Sequence, residues 1–293
     1  MTTDQRTSAA QRHGWEPIVA LALAEDIGTG DVTAIATVDA TATAAGIILA
    51  KQDGVVSGID VAGFVFSSVD PAIAYEPLVA NGDQVSARTT LAKVSGPARS
   101  LLTAERTALN LIQRLSGVAT VTARYVAETE GSPSRIVDTR KTTPGMRLLE
   151  KLAVQHGGGH NHRFGLADGI LIKDNHLAAI GGPDRIAVAI ARAREAAPHT
   201  LKVEVEVTSL DELDLAITAG ADIVLLDNMS TSDIAEAVAR REAANRGILL
   251  EASGGVTLGR IRELAATGVD LISVGALTHS APALDISLDL DIA

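Results

Sequence analysis

The densest chemistry in this chain lies between residues 138 and 176, DTRKTTPGMRLLEKLAVQHGGGHNHRFGLADGILIKDNH. Arg140, Lys141, Arg147, Lys151, Arg163 and Lys173 fall there, opposed by Asp138, Glu150, Asp168 and Asp174, although the whole chain carries a formal charge of −11. His156, His160, His162 and His176 are there too. A cationic cluster in an acidic protein suits a polyanionic small molecule. Arg matches carboxylate and phosphate oxygens in pairs, and Lys adds a compact point charge. Nucleic acid fits poorly, because phosphate-backbone binding wants a broad basic face. Gly157-Gly158-Gly159 lets the backbone bend, or a ligand approach, where a Cβ would intrude; alone, such a triplet also reads as a solvated loop.

Carboxylates supply the second half of the chemistry. Glu204 and Glu206 are two apart in VEVEV, so both face one side of a strand while Val203, Val205 and Val207 face the other. If the valines pack on helices, the glutamates point inward and need a cation or a metal. Glu204, the deeper of the two, is expected to pair with Lys141 or Lys173. Glu206 and Asp227, at the ends of successive strands, are expected to hold Mg²⁺, which favours one or two carboxylates plus phosphate oxygens and water. Two structural ion pairs are the plainer alternative. Ser253-Gly254 and Gly275 with His279 follow two later apolar runs and read as a phosphate cup built on backbone N–H groups. A zinc site on His156, His160 and His162 is a weaker reading, with flexible glycines between the ligands. Ser253 lacks the G-x-S-x-G elbow of an acyl-transfer nucleophile.

These residues need a scaffold, and the 293 residues suffice for one large or two ordinary domains. Hydrophobic content of 46% with 21% charged residues is globular. With no cysteine there is no disulfide framework and no thiolate site, which fits a reducing cytoplasm. No stretch reads as a signal peptide or a membrane span. An aromatic content of 2% leaves no base-stacking surface, so an aromatic ligand must be held mainly by charge.

Residues 1–13 read as a frayed polar start, Pro17 to Ala24 as a short helix, and Glu25–Asp31 as a turn. β-rich runs at 43–56 and 75–94 enclose a helical Ile59–Val69, an α+β pattern. Residues 101–130 have a buried helical face and a predicted break at Ser116-Gly117. Beyond residue 134 the rhythm changes. Apolar runs at 136–137, 169–172, 203–207, 223–226, 248–250 and 271–274 alternate with amphipathic helices at 184–196, 209–219, 231–244 and 258–267. Polar residues close each run, and Lys173, Glu206, Asp227, Glu251 and Gly275 recur every 21 to 33 residues. That is the tempo of βα units, with chemistry at the strand C-termini as in a (β/α) barrel, but with about six strands instead of the eight of a closed one. The tail ALDISLDLDI alternates strictly and reads as a half-buried antiparallel strand returning to the first sheet.

DTRKTTPGMR, GGGHNHRFGLADGILIKDNH, EVEV, LLDN, EASGG and SVGALTHS, with ALAEDIGTGDVT and LLTAERTALNLIQRLSGVAT before them, together resemble quinolinate phosphoribosyltransferase over nearly the whole chain. The resemblance implies an α/β protein. It has an N-terminal α+β sandwich domain, drawn at residues 1–116 plus 280–293, and an open, incomplete (β/α) barrel at 117–279. It implies transfer from phosphoribosyl diphosphate to quinolinate with decarboxylation, giving nicotinate mononucleotide. Quinolinate would meet Arg140, His162, Arg163 and Lys173, with Arg106 donated across a homodimer interface. Phosphoribosyl diphosphate would meet Lys141, a Mg²⁺ or Mn²⁺ ion on Glu206 and Asp227, and the cup at Ser253, Gly254, Gly275 and His279. The catalytic set is then Lys141, Lys173, Glu206 and Asp227, with no organic cofactor. Rival readings are a paralogue with another acceptor, of the kind found with molybdate transport, and a barrel lyase forming a Schiff base on Lys141 or Lys173.

Overall fold

The structure, a computed structural model, describes residues 9–244 and 247–292. The chain forms two compact units, one drawn from Met1–Ala123, Thr142–Gly158 and Leu277–Ala293, the other from Arg124–Lys141 and Gly159–Ala276.

In the second unit, alternating valines and leucines build a six-stranded sheet. Its spatial order is Arg135–Val137, Leu271–Ser273, Leu249–Ser253, Ile223–Asp227, Val203–Val207 and Ile170–Ile172. Every neighbouring pair is parallel. The first and last strands do not pair, so the barrel is open. Helices Arg185–Ala196, Leu210–Thr218, Thr231–Ala244 and Ile261–Ala266 return the chain between strands. Val203, Val205 and Val207 are buried to 1% exposure or less, each burial contributing roughly 1.5–3 kcal/mol. At the free edge of Arg135–Val137, the chain beyond the glycine triplet lies alongside. His160 N–H donates to the Ile136 carbonyl at 2.9 Å, and Asp138 N–H donates to the His160 carbonyl at 3.0 Å. The buried Asp138 carboxylate then accepts the His162 N–H at 2.8 Å, which fixes where the next two side chains leave the backbone.

The first unit holds an antiparallel sheet in the order Ile286–Ile292, Thr43–Ala50, Thr90–Pro97, Ala74–Pro77. The tail strand therefore returns to the first sheet, as its alternation predicts. Helix Ile59–Val69 buries Val61, Ala62, Val65 and Phe66, and Trp15 meets Phe64 edge-on at 5.2 Å. The first helix is longer than expected, Ala9–Ile27, so the turn begins at Gly28. Asp31 caps the next short helix by accepting the Ala34 N–H. Residues 1–8 of the expected polar start lie outside the described residues.

One expectation fails in this unit. Ala98–Ala127 is a single 30-residue helix, uninterrupted at Ser116-Gly117. Both residues are there for close approach. A Cβ on Gly117 would stand 2.0 Å from the Pro282 carbonyl oxygen, and the Ser116 hydroxyl accepts the Ser57 N–H at 3.0 Å. Gly117→Ala is therefore expected to destabilise the protein. Overpacking of about 1–3 kcal/mol, at the upper end for so short a contact, outweighs a helix-propensity gain of about 1 kcal/mol. Urea unfolding should show a net loss near 2 kcal/mol; an unchanged or higher midpoint would contradict the contact.

Candidate functional site

Parallel strands bring their C-terminal residues to one rim. Lys173 follows Ile170–Ile172, Glu206 is the penultimate residue of its strand, and Asp227 and Ser253 end theirs as register partners. Gly275 follows Leu271–Ser273 by two residues. The Lys173 ammonium lies 3.0 Å from a Glu206 oxygen. The Asp227 carboxylate accepts the Asn228 side-chain amide at 2.8 Å, and Asn228 N–H donates to the Ser253 carbonyl at 2.9 Å. This clasp has a steric requirement. Gly254 has φ +87°, and a Cβ there would fall 2.4 Å from the Asn228 amide oxygen.

One layer deeper, on the same inward face, His162 Nε2 stands 3.1 Å from Glu204 and 3.5 Å from Glu251. The expected pairing of Glu204 with Lys141 or Lys173 is thus corrected. Lys173 reaches Glu206 one layer higher, and the histidine supplied by the free-edge loop meets Glu204. Burial works to lower the His162 pKa, but the hydrogen bonds and charges of Glu204 and Glu251 override it and push it up to about 10. Burial holds the Glu204 carboxyl above its usual range, against the pull of His162. One contact opposes an imidazolium: Arg163 N–H points at His162 Nδ1 from 2.7 Å, where a lone pair would be needed. Leaving that donor unsatisfied costs about 1–3 kcal/mol. Two buried carboxylates without a counter-charge cost several kcal/mol each. The charge wins, and the ring is cationic.

His162, Glu204 and Glu251 also form the one group of three or more potential ligating residues within metal-binding reach among the described residues. In either protonation state above, however, Nε2 carries a proton and faces the carboxylates, so it has no lone pair for a metal. The histidines of the zinc reading, His156, His160 and His162, do not form such a group among the described residues.

Arg163 is held by the Gly169 carbonyl at 3.1 Å, and the loop between them is folded by Asp168, whose carboxylate accepts the Phe164 and Gly165 N–H groups. Burial first, and then the neighbouring Arg140 guanidinium, lower the Arg163 pKa. Arg140, His162 and Arg163 thus crowd positive charge together beside a pair of buried carboxylates. Lys141 is exposed, its N–H bound to the Thr139 hydroxyl at 3.0 Å. A cavity of about 320 Å³ opens on the opposite side of the histidine layer, lined by strand-starting residues such as Arg135 and Ile223; Lys173, Glu206, Asp227 and Ser253 do not line it. Arg106 and His279 belong to the other unit. Arg106 is exposed on helix Ala98–Ala127, 4.0 Å from Glu105, and His279 Nδ1 meets the Ser280 hydroxyl at 2.6 Å. Sequence reasoning gave no role to Asp138, Asp168 or Glu251. Glu251 was findable: it precedes Ser253 by two residues, as Glu204 precedes Glu206, and so shares its inward face.

Because the His162 pKa lies above the ordinary 6.5, the stabilisation it supplies is complete below pH 6.5 and is lost as pH rises through about 10. Imidazole NMR should therefore find His162 still protonated at pH 8. The stability difference between wild type and His162→Gln should shrink above pH 9. An imidazole midpoint near 6.5 would sink the carboxylate-clamped assignment.

Residues 31–116 match the model of the quinolinate phosphoribosyl transferase N-terminal domain, and residues 118–289 that of the C-terminal domain. The chain is 45% identical over 268 residues to the probable nicotinate-nucleotide pyrophosphorylase [carboxylating] of Bacillus subtilis, covering 92% of this chain and 90% of that one. It is 46% identical over 272 residues to the nicotinate-nucleotide pyrophosphorylase [carboxylating] of Mycobacterium leprae, covering 92% and 94%. The solved nicotinate-nucleotide pyrophosphorylase of Francisella tularensis superposes with a TM-score of 0.88 at 41% identity, covering 99% of this chain and 100% of that one. With both domain models matching in order along the chain, this protein belongs to the quinolinate phosphoribosyl transferase family.

Proposed function

We infer that the chain transfers the phosphoribosyl group of phosphoribosyl diphosphate to quinolinate with loss of CO₂, giving nicotinate mononucleotide and diphosphate. It is a pentosyltransferase of the nicotinate-nucleotide pyrophosphorylase (carboxylating) type. The observation that carries the reading is the proximity of Arg140, Arg163 and a cationic His162. Like charges brought together repel until a guest of opposite sign arrives, and two adjacent carboxylates on one small ring match them.

In this reading Arg140, His162, Arg163 and Lys173 hold quinolinate, with Arg106 contributed by the second subunit of a cytoplasmic homodimer. What supports the last point is the exposure of the Arg106 guanidinium on helix Ala98–Ala127. No helix among the described residues is long and apolar enough to cross a membrane. Lys141, Ser253, Gly254, Gly275 and His279 meet phosphoribosyl diphosphate. Glu206 and Asp227 suit a hard cation, being all-oxygen donors on neighbouring strands, and would hold Mg²⁺ or Mn²⁺. When bound, that ion supplies charge neutralisation of the diphosphate. The protein's own work is to bring two anions together with the pyridine nitrogen facing ribose C1. Nitrogen attacks as diphosphate leaves, and the quaternised ring then accepts the electrons released with CO₂. The carbanion is finally protonated at the ring carbon. The ion pair of Lys173 with Glu206 at 3.0 Å favours a fixed charge over a Schiff-base amine, so the lyase alternative gains no support.

The deciding assay is nicotinate mononucleotide formation from quinolinate and phosphoribosyl diphosphate. Arg140→Ala and Arg163→Ala should each weaken quinolinate binding by about 2–5 kcal/mol, as for a truncated desolvated charge pair. Wild type without product, or unchanged quinolinate affinity in both variants by calorimetry, would overturn the reading. Gly254→Ala should push Asn228 off Asp227 and lower kcat/KM by about 10–100-fold, since displacements near 1 Å cost that much. Full activity in this variant would remove the Asn228 clasp from the site.

A further inference from the structure

Within the first unit, an ion pair between a half-buried guanidinium and a fully buried carboxylate ties together two segments that the proposed reaction uses. Glu150, on helix Arg147–His156, is 0% exposed, and both its oxygens are engaged. Oε1 accepts Arg114 Nε at 3.1 Å, Arg114 Nη2 at 2.7 Å and the Thr143 hydroxyl at 2.8 Å. Oε2 accepts the Thr143 N–H at 3.0 Å. The same guanidinium donates from Nη1 to the Ala281 carbonyl at 2.8 Å and from Nη2 to the Thr278 carbonyl. The pair thus fastens the chain at Thr143, two residues beyond Lys141. It also fastens the chain on both sides of His279.

A buried ion pair is a poor device for stability alone, because well-packed apolar residues of the same volume serve as well or better. Its worth is geometric. The planar fork of Arg can hold a carboxylate and two carbonyls in fixed directions at once, which an ammonium cannot. Burial leaves Glu150 no water to exchange with, so the N–H and hydroxyl of Thr143 both have a fixed acceptor. We propose that Arg114 and Glu150 are a positioning pair that sets the enzyme's affinity for phosphoribosyl diphosphate by fixing the segments of Lys141 and His279. Neither residue touches substrate. The inference rests on the functional reading above, in which those two side chains meet the phosphoribosyl donor while the diacid is held by other arginines.

Steady-state kinetics with each substrate varied at saturating levels of the other tests it. In Arg114→Lys and Glu150→Gln, KM for phosphoribosyl diphosphate should rise about tenfold while KM for quinolinate stays within about twofold, as expected when a remote change misplaces one substrate's contacts. Thr143→Val, on an exposed residue, reports the same effect should the buried variants fail to fold. It should raise the donor KM about threefold, and Thr143→Ser, which restores the hydroxyl, should return it to the wild-type value. An equal rise in both KM values, or a donor KM unchanged in folded variants and in Thr143→Val, would overturn the inference. Wild-type enzyme without turnover would instead sink the functional reading, and this inference with it. Turnover with no discrimination between the substrates sinks the inference alone.

Discussion

Positive charge gathered in one place, with negative charge buried beside it, is the constraint on which the rest of this structure depends. Arg140, His162 and Arg163 are mutually repulsive, and an acidic protein could scatter them at no cost. They stay together because Glu204 and Glu251, on the same inward face of the open barrel, clamp the histidine from below at 3.1 and 3.5 Å. The backbone serves the same end. Asp138 and the edge pairing at His160 fix the loop, and Asp168 folds the turn that steadies Arg163. The six strands act as a frame that holds buried carboxylates at a chosen depth, so that cations which would disperse can wait for an anionic guest.

How much of this was legible depended on whether a feature is local in the chain. VEVEV states its own geometry, since valines every second residue leave the glutamates no face but the inner one. The spacing of Lys173, Glu206, Asp227 and Gly275 announced βα units, and the alternating tail announced a strand of the first sheet. What could not be read are partnerships set by register between distant segments. Glu204 was expected to find a lysine, yet which cation reaches it depends on how the edge loop seats beside Arg135–Val137. Gly117 illustrates the same limit. In isolation a glycine after a serine suggests a helix break; its actual reason is a carbonyl arriving from residue 282. Glycine tells that something is near or that a turn is needed, and sequence alone does not say which.

The two layers of the barrel divide the electrostatic work differently. In the deeper layer the partners are protein groups only, and the charge is fixed by burial. At the rim, Lys173 already neutralises Glu206, and Asp227 is met by a neutral amide. Lys173 is thus already engaged by a carboxylate, and Glu206 and Asp227 by themselves would repel a diphosphate. In the proposed reading this explains why two acids stand where a polyanion must arrive: bridged by a divalent ion they become the attractive side of the site, and without it they exclude the donor. In the same proposed reading the diacid needs no such mediator, because its counter-charges are Arg140 and Arg163. Recognition of the acceptor is then a property of the folded chain, while recognition of the donor is conditional on a second cation and on the fixed placement of the segments around it.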